Sequence, residues 1–242
     1  MTTSRRLFCR ATRIGFSLIE LLVVVALIGI LTALLVPALG SIKGAGALSK
    51  ASSDLAGVFE QARAYAMAQN TYVYVGVQEV DAVSPTSTDG IGRVAVAAVA
   101  SKSGQRPANS SAETVAISKV LLLDGAHITN VASLGSAGNM QRPVAAGGPA
   151  VDLGQSAAAT NYQFAWPLGA VAGSARYKFS KAVEFDPQGV VRVPTTNSYA
   201  QVLQPYIEIG LVTARGNSAT TSSNQAVIQI NGITGAARIF RP

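Results

Sequence analysis

Gly15-Phe16-Ser17-Leu18-Ile19-Glu20-Leu21-Leu22-Val23-Val24 opens the most apolar part of a 242-residue chain and sets one carboxylate at its entrance. From Leu21 to Ile42 no side chain is charged, a run of 22 residues. At about 1.5 Å per residue such a run crosses a hydrocarbon core of about 30 Å, so a membrane-spanning helix is predicted over 16–42. Arg5, Arg6, Arg10 and Arg13 precede the run, and Lys43 is the first charge after it. That asymmetry predicts residues 1–15 in the cytoplasm and the bulk of the chain on the far side of the membrane, as a single-pass protein.

Glu20 is what a generic anchor leaves unexplained. An ionised carboxylate costs about 2.5–3.5 kcal/mol at the centre of a membrane helix, less near its edge, and it marks a partner. No basic side chain is a near neighbour of Glu20. If the chain is cut between Gly15 and Phe16, the new α-amino group lies four residues before Glu20, one helical turn away. Its own Glu20 or that of a neighbouring copy then satisfies it. A secretory signal peptide would end in a small-residue cleavage site, loosely imitated by Ala33, Ala38 and Gly40, and be followed by an unrelated mature start. Neither that reading nor a plain signal anchor accounts for Glu20.

The ten residues from Gly15 to Val24 closely resemble the cleavage and N-methylation motif of type IV prepilins and type II secretion pseudopilins. Glycine stands last in the leader, Phe16 first and Glu20 fifth in the mature chain, and Pro37 is the twenty-second, where pilins also commonly carry proline. The resemblance implies a membrane-bound aspartic prepilin peptidase that cleaves after Gly15 and methylates the Phe16 amine. It also implies an inner-membrane assembly platform that moves the helix into a fibre of pilin or pseudopilin subunits. Gly15 would admit the peptidase close to the backbone. Glu20 would pair with the Phe16 amine of an adjacent subunit and set register, since a matched charge pair in a low-dielectric setting specifies geometry.

Removing 1–15 changes how the composition reads. The formal charge of +7 falls to +3, with 15 basic against 12 acidic side chains left, so most of the basic excess belongs to the leader rather than to a nucleic-acid surface. Cys9, the single cysteine, also lies in the leader, which leaves the mature chain no disulfide framework and no cysteine-rich metal site. An exported domain of about 200 residues must then rely on its core.

Beyond the membrane segment, Pro37 removes a backbone donor and predicts a kink, and Gly40, Gly44 and Gly46 lower helix propensity after it. Leu48, Leu55, Phe59, Ala62 and Ala66 recur at helical spacing, so an amphipathic helix over 43–70 continues the stalk, with Asn70 as its end. A β-rich head over 71–242 follows. Its predicted strands are Tyr72 to Val77, Val94 to Ala100, the hairpin of 182–185 and 190–193 about Asp186-Pro187-Gln188-Gly189, then Tyr206 to Val212, Ala226 to Ile230 and Ala237 to Phe240. Residues 81–112 otherwise read as loops, and the Gly/Ala-rich stretch 132–159 as a long surface insertion. The fold class is α+β, with several antiparallel strands packed on the long helix. The helix with Gln61 to Ala66, together with the late Phe185 to Gly189 hairpin and closing strands, resembles the H/FimT-like minor pseudopilins.

Little in the head carries chemistry. His127, the single histidine, sits among strand and turn residues, and no nucleophile, base and oxyanion donors cluster as a hydrolase needs. Neither an enzyme nor a metal or other cofactor is expected. Major pseudopilins often bind calcium in a C-terminal loop, yet Asp186 is the only aspartate after Asp152. Tyr162, Phe164 and Trp166 alternate as a sheet face does, which favours core packing over a recognition surface. Arg215, Arg238 and Arg241 are candidate DNA contacts, because some FimT-like relatives serve DNA uptake. Three scattered arginines read more readily as solvated surface, and a nucleic-acid partner is not expected.

Overall fold

The computed structural model describes residues 17–84, 90–106, 113–135, 140–144, 150–154, 162–170, 174–194, 203–219 and 224–242, with the side chains of 36–45 excepted. The chain divides into two compact units, Met1–Ile42 and Lys43–Pro242, and helix α1 (Leu18–Gln69) contributes to both. In the first unit the described part is helix alone. In the second, α1 is followed by strands, which makes the protein an α+β structure.

Leu48, Ala51, Leu55, Phe59, Ala62 and Ala66 recur every three or four residues along α1 and are all buried. Each fully buried leucine or phenylalanine contributes about 1.5–3 kcal/mol relative to exposure, so this stripe fixes which face of the helix meets the sheets. Asn70 ends the helix with φ 49°, a left-handed conformation that asparagine tolerates, and the Thr71 N–H returns to the Ala66 carbonyl at 3.1 Å.

The strands are β1 (Val73–Asp81), β2 (Gly92–Ser101), β3 (Thr114–Ala116), β4 (Leu121–Asp124), β5 (Ala126–Thr129), β6 (Val151–Asp152), β7 (Phe164–Trp166) and β8 (Tyr177–Phe179). They continue with β9 (Lys181–Phe185), β10 (Val191–Arg192), β11 (Tyr206–Arg215), β12 (Ser218–Ala219), β13 (Gln225–Asn231) and β14 (Ala237–Phe240). One sheet runs β10-β9-β1-β2-β3, with β4 also on β2; a second runs β12-β11-β13-β14, with β5 and β6 on β11. Val73, Val75 and Val77 from the first sheet and Ile207, Ile209 and Leu211 from the second join the α1 stripe in one core, as period-two alternation requires.

Both outer faces are also covered. Tyr74, Ala95, Ala97 and Val99 on the first sheet lie under the β7-β8 hairpin, which brings Tyr162, Phe164, Tyr177 and Phe179. The alanines of β2 leave room for those rings. Gly76 is required there, because a Cβ would stand 2.6 Å from Phe164 Cζ and 2.7 Å from Phe179 Cβ. Tyr162 and Phe164 are therefore core residues, with Trp166 partly buried against them. On the second sheet Val212 and Val227 are covered by Val131, Leu134 and Met140.

The sheets are antiparallel as expected, apart from the two-residue β6, which runs parallel to β11 at Ile207 and Glu208. Two expectations need correction. The loop reading of 81–112 is too generous, because β1 and β2 stay paired out to Asp81 and Gly92. The stretch 132–159 is not simply a surface excursion either, since Leu134, Met140 and Leu153 are buried. Its few large apolar side chains fall where the sheets need cover, which bulk composition conceals. Residues 136–139, 145–149 and 155–159 lie outside the described residues.

Candidate functional site

In the first unit α1 begins as its sequence directs. The Ser17 carbonyl accepts from the N–H groups of Glu20 and Leu21, both at 3.1 Å, and Glu20 occupies the first turn, where a negative charge suits the positive end of the helix dipole. Every side chain from Leu18 to Leu35 is exposed, with Leu18 at 82% and Leu34 at 72%. These 18 residues cover about 27 Å at helical rise, the scale of a bilayer core, so helix α1 is long and apolar enough to cross a membrane. Thr32 within the run satisfies its hydroxyl internally, donating to the carbonyls of Ile28 at 2.6 Å and Gly29 at 3.0 Å. An exposed apolar helix with its polar groups internally paired and a carboxylate at its start fits lipid or other helices rather than water. Gly15 and Phe16 lie outside the described residues; Pro37 lies within the helical backbone, and its side chain is outside them.

Residues 10–36 match the prokaryotic N-terminal methylation motif. The methylation motif thus covers Arg10, Arg13, Gly15, Phe16, Glu20 and most of the apolar run. No curated protein and no solved structure matches the chain. The motif supports a type IV pilin or pseudopilin precursor and implies processing by a prepilin peptidase and assembly with other pilins. It suggests a structural subunit rather than an enzyme.

The head holds buried polar networks that sequence reasoning passes over. Glu184 is 1% exposed; it accepts from the Tyr74 hydroxyl at 2.8 Å and from Arg106 Nη2 at 2.7 Å, while the Arg106 guanidinium lies 4.9 Å from the Tyr72 ring centre. Alternation in Ala182-Val183-Glu184-Phe185 points Glu184 away from the helix, normally toward water. The aromatic hairpin covers that face, which no local pattern announces. Burial, then Glu184, pushes the Tyr74 phenol far above its usual range, and burial pushes Tyr162 up to about 12.

His127 ties the two sheets together. Its Nδ1 lies 2.7 Å from Glu79 Oε1, and the same oxygen accepts from the Ile128 N–H at 2.8 Å, so β5 is stitched to β1. Along the same seam Lys181 Nζ donates to the Leu153 carbonyl at 2.8 Å, and burial lowers its pKa. Burial raises the pKa of Asp152, opposed by N–H donation from Val131 and Gly154. Among the described residues no group of three or more His, Cys, Asp or Glu side chains converges as a metal site would need.

Arg215, Arg238 and Arg241 are not brought together. Arg215 is exposed at the end of β11. Arg238 is exposed on β14 opposite Gln229, which itself opposes Glu208, so Arg238 belongs to the outward row of the second sheet, some seven residues, or about 23 Å of strand, from Arg215. Arg241 turns to the helix instead: its Nη1 donates to Ser49 Oγ at 2.6 Å and its Nη2 to Ser52 Oγ at 2.8 Å.

Proposed function

We propose that this protein is the precursor of a minor pilin or pseudopilin. A prepilin peptidase cleaves it after Gly15 and methylates Phe16, and the mature chain enters a type IV pilus or type II secretion pseudopilus through its exposed helix. The observation that carries this reading is the methylation-motif match at 10–36 on a helix whose apolar side chains are all exposed from Leu18 to Leu35. A lone subunit in water would not leave that surface bare; a bilayer before assembly and neighbouring helices after it both cover it. In this reading residues 1–15 are the cytoplasmic leader, 16–42 the membrane and assembly helix, 43–70 the stalk and 71–242 the head outside the cytoplasm. Glu20 pairs with the Phe16 amine of the adjacent subunit, and Pro37 marks a bend.

The test is the mature N-terminus. The full precursor is expressed with and without a prepilin peptidase, and the product is examined by mass spectrometry. A chain that begins at methylated Phe16 only when the peptidase is present is the expected result. An uncut chain, or one cut elsewhere, returns the protein to the signal-anchor class.

A further inference from the structure

The last strand is fastened to α1 at both of its ends. The Ala237 N–H donates to Glu60 Oε1 at 2.7 Å, and Arg241 bonds Ser49 and Ser52 at 2.6 and 2.8 Å. β14 therefore runs back along the helix, antiparallel to it. The two sets of anchor points agree in length: residues 49–60 cover about 16 Å of helix and 237–241 about 14 Å of strand. Between them Ala237 and Ile239 pack on the core that α1 builds, and the other side of β14 pairs with β13. Ser52 is fully buried, so one arm of the Arg241 fork reaches a covered hydroxyl while the other meets Ser49 at the surface.

The position of the anchor is what gives it meaning. Arg241 holds the first helical turn that carries a buried leucine, Leu48, immediately after a segment in which Pro37, Gly40, Gly44 and Gly46 all disfavour helix. Arg238, exposed on the same strand, takes no part in it.

We propose that β14 and Arg241 act as a clamp that fixes where the head-bound part of α1 begins, holding the helix from Leu48 onward in register with the head. The clamp is a property of the head and is tested without a fibre or a peptidase.

The experiment is hydrogen exchange followed by mass spectrometry on the full chain in detergent micelles. Peptides covering 40–47, 48–54, 55–66 and 225–231 are compared. In the unaltered protein, the amides of 48–54 should be more strongly protected than those of 40–47. In Arg241→Ala the amides of 48–54 should exchange at least about tenfold faster, while those of 55–66 and of β13 change by less than about twofold, the pattern of a local opening. Ser49→Ala combined with Ser52→Ala should reproduce it from the helix side, and Arg241→Lys should fall between, because an ammonium is a point donor where the guanidinium is a fork. Unchanged exchange over 48–54 in both the Arg241→Ala and the double serine variants overturns the proposal. So does equal acceleration over 48–54 and β13, which would make Arg241 a general stabiliser and not a boundary.

Discussion

The Tyr74 hydroxyl donates to Glu184 Oε2 across 2.8 Å, joining β1 to β9 at a point where Glu184 is 1% exposed and Arg106 supplies the balancing charge. A buried carboxylate is tolerable only with such partners. Removing them one at a time should therefore cost different amounts. Tyr74→Phe removes one hydrogen bond to a charged acceptor and should lower the unfolding free energy by about 1.5–3 kcal/mol. Glu184→Ala strands Arg106 and should cost about 3–5 kcal/mol. Denaturant titration of the full chain in detergent, followed by near-ultraviolet circular dichroism, gives both values. Equal costs for the two variants would show that Arg106 finds water once Glu184 is gone.

Gly76 makes a second prediction on the same face. An alanine there would place its Cβ against Phe164 and Phe179, whose ring centres are 4.8 Å apart. The hairpin must move outward, so Gly76→Ala should destabilise by about 1–3 kcal/mol, the usual cost of overpacking. Phe164→Ala should cost about 3–5 kcal/mol alone but less in the Gly76→Ala background, since the methyl then fills space that the ring vacates. A double-mutant cycle with no coupling would show that the hairpin already rides clear of Gly76.

The stacked pair Tyr74 and Tyr162, with ring centres 3.8 Å apart, sets an alkaline limit on the head. Burial raises both phenols in the folded chain, Tyr162 to about 12, against an ordinary value of 10.0. Between those values the folded state binds more protons than the unfolded one, so stability is intact below pH 10.0 and falls as pH rises toward 12. Tyrosinate absorbance should show these two phenols ionising late and together with loss of near-ultraviolet dichroism. Their ionisation near pH 10.0 in an otherwise folded chain would contradict the burial of this layer.

Legibility in the sequence follows the range of the physics involved. The apolar start of α1, its stripe from Leu48 to Ala66 and the hairpin about Asp186 are readable because each rests on local composition, periodicity or turn chemistry; Asp186 Oδ1 indeed accepts from the N–H groups of Gln188 and Val190. Buried Glu184 is not readable, because its partners Tyr74 and Arg106 are distant in the chain and an aromatic hairpin from elsewhere covers that face of the sheet. The parallel strand β6 is hidden for the same reason: two residues, Val151 and Asp152, carry no pattern of their own and are defined by their place beside β11. In the sequence Arg241 is one of three equivalent surface arginines, and only the run of β14 along α1 separates it from Arg215 and Arg238.

Glu20 carries the prediction that most directly probes assembly. It stands exposed in the first turn of α1, at the start of a run from Leu18 to Leu35 in which all side chains are exposed. In the bilayer such a carboxylate near the helix edge can reach the interfacial water, so its loss should not impair insertion or cleavage. In a fibre the same carboxylate would be surrounded by apolar helices, where it is costly unless a cation meets it, and the Phe16 amine released by cleavage is the one positioned to do so. Glu20→Ala should therefore be processed to the same mature N-terminus as the unaltered chain yet be recovered in sheared fibres at a level reduced about tenfold or more, the equivalent of about 1.4 kcal/mol per subunit contact. Glu20→Gln, which keeps the shape but not the charge, should fail similarly. Normal incorporation of either variant would remove the charge pair from the assembly step, leaving apolar packing of α1 to set the register alone.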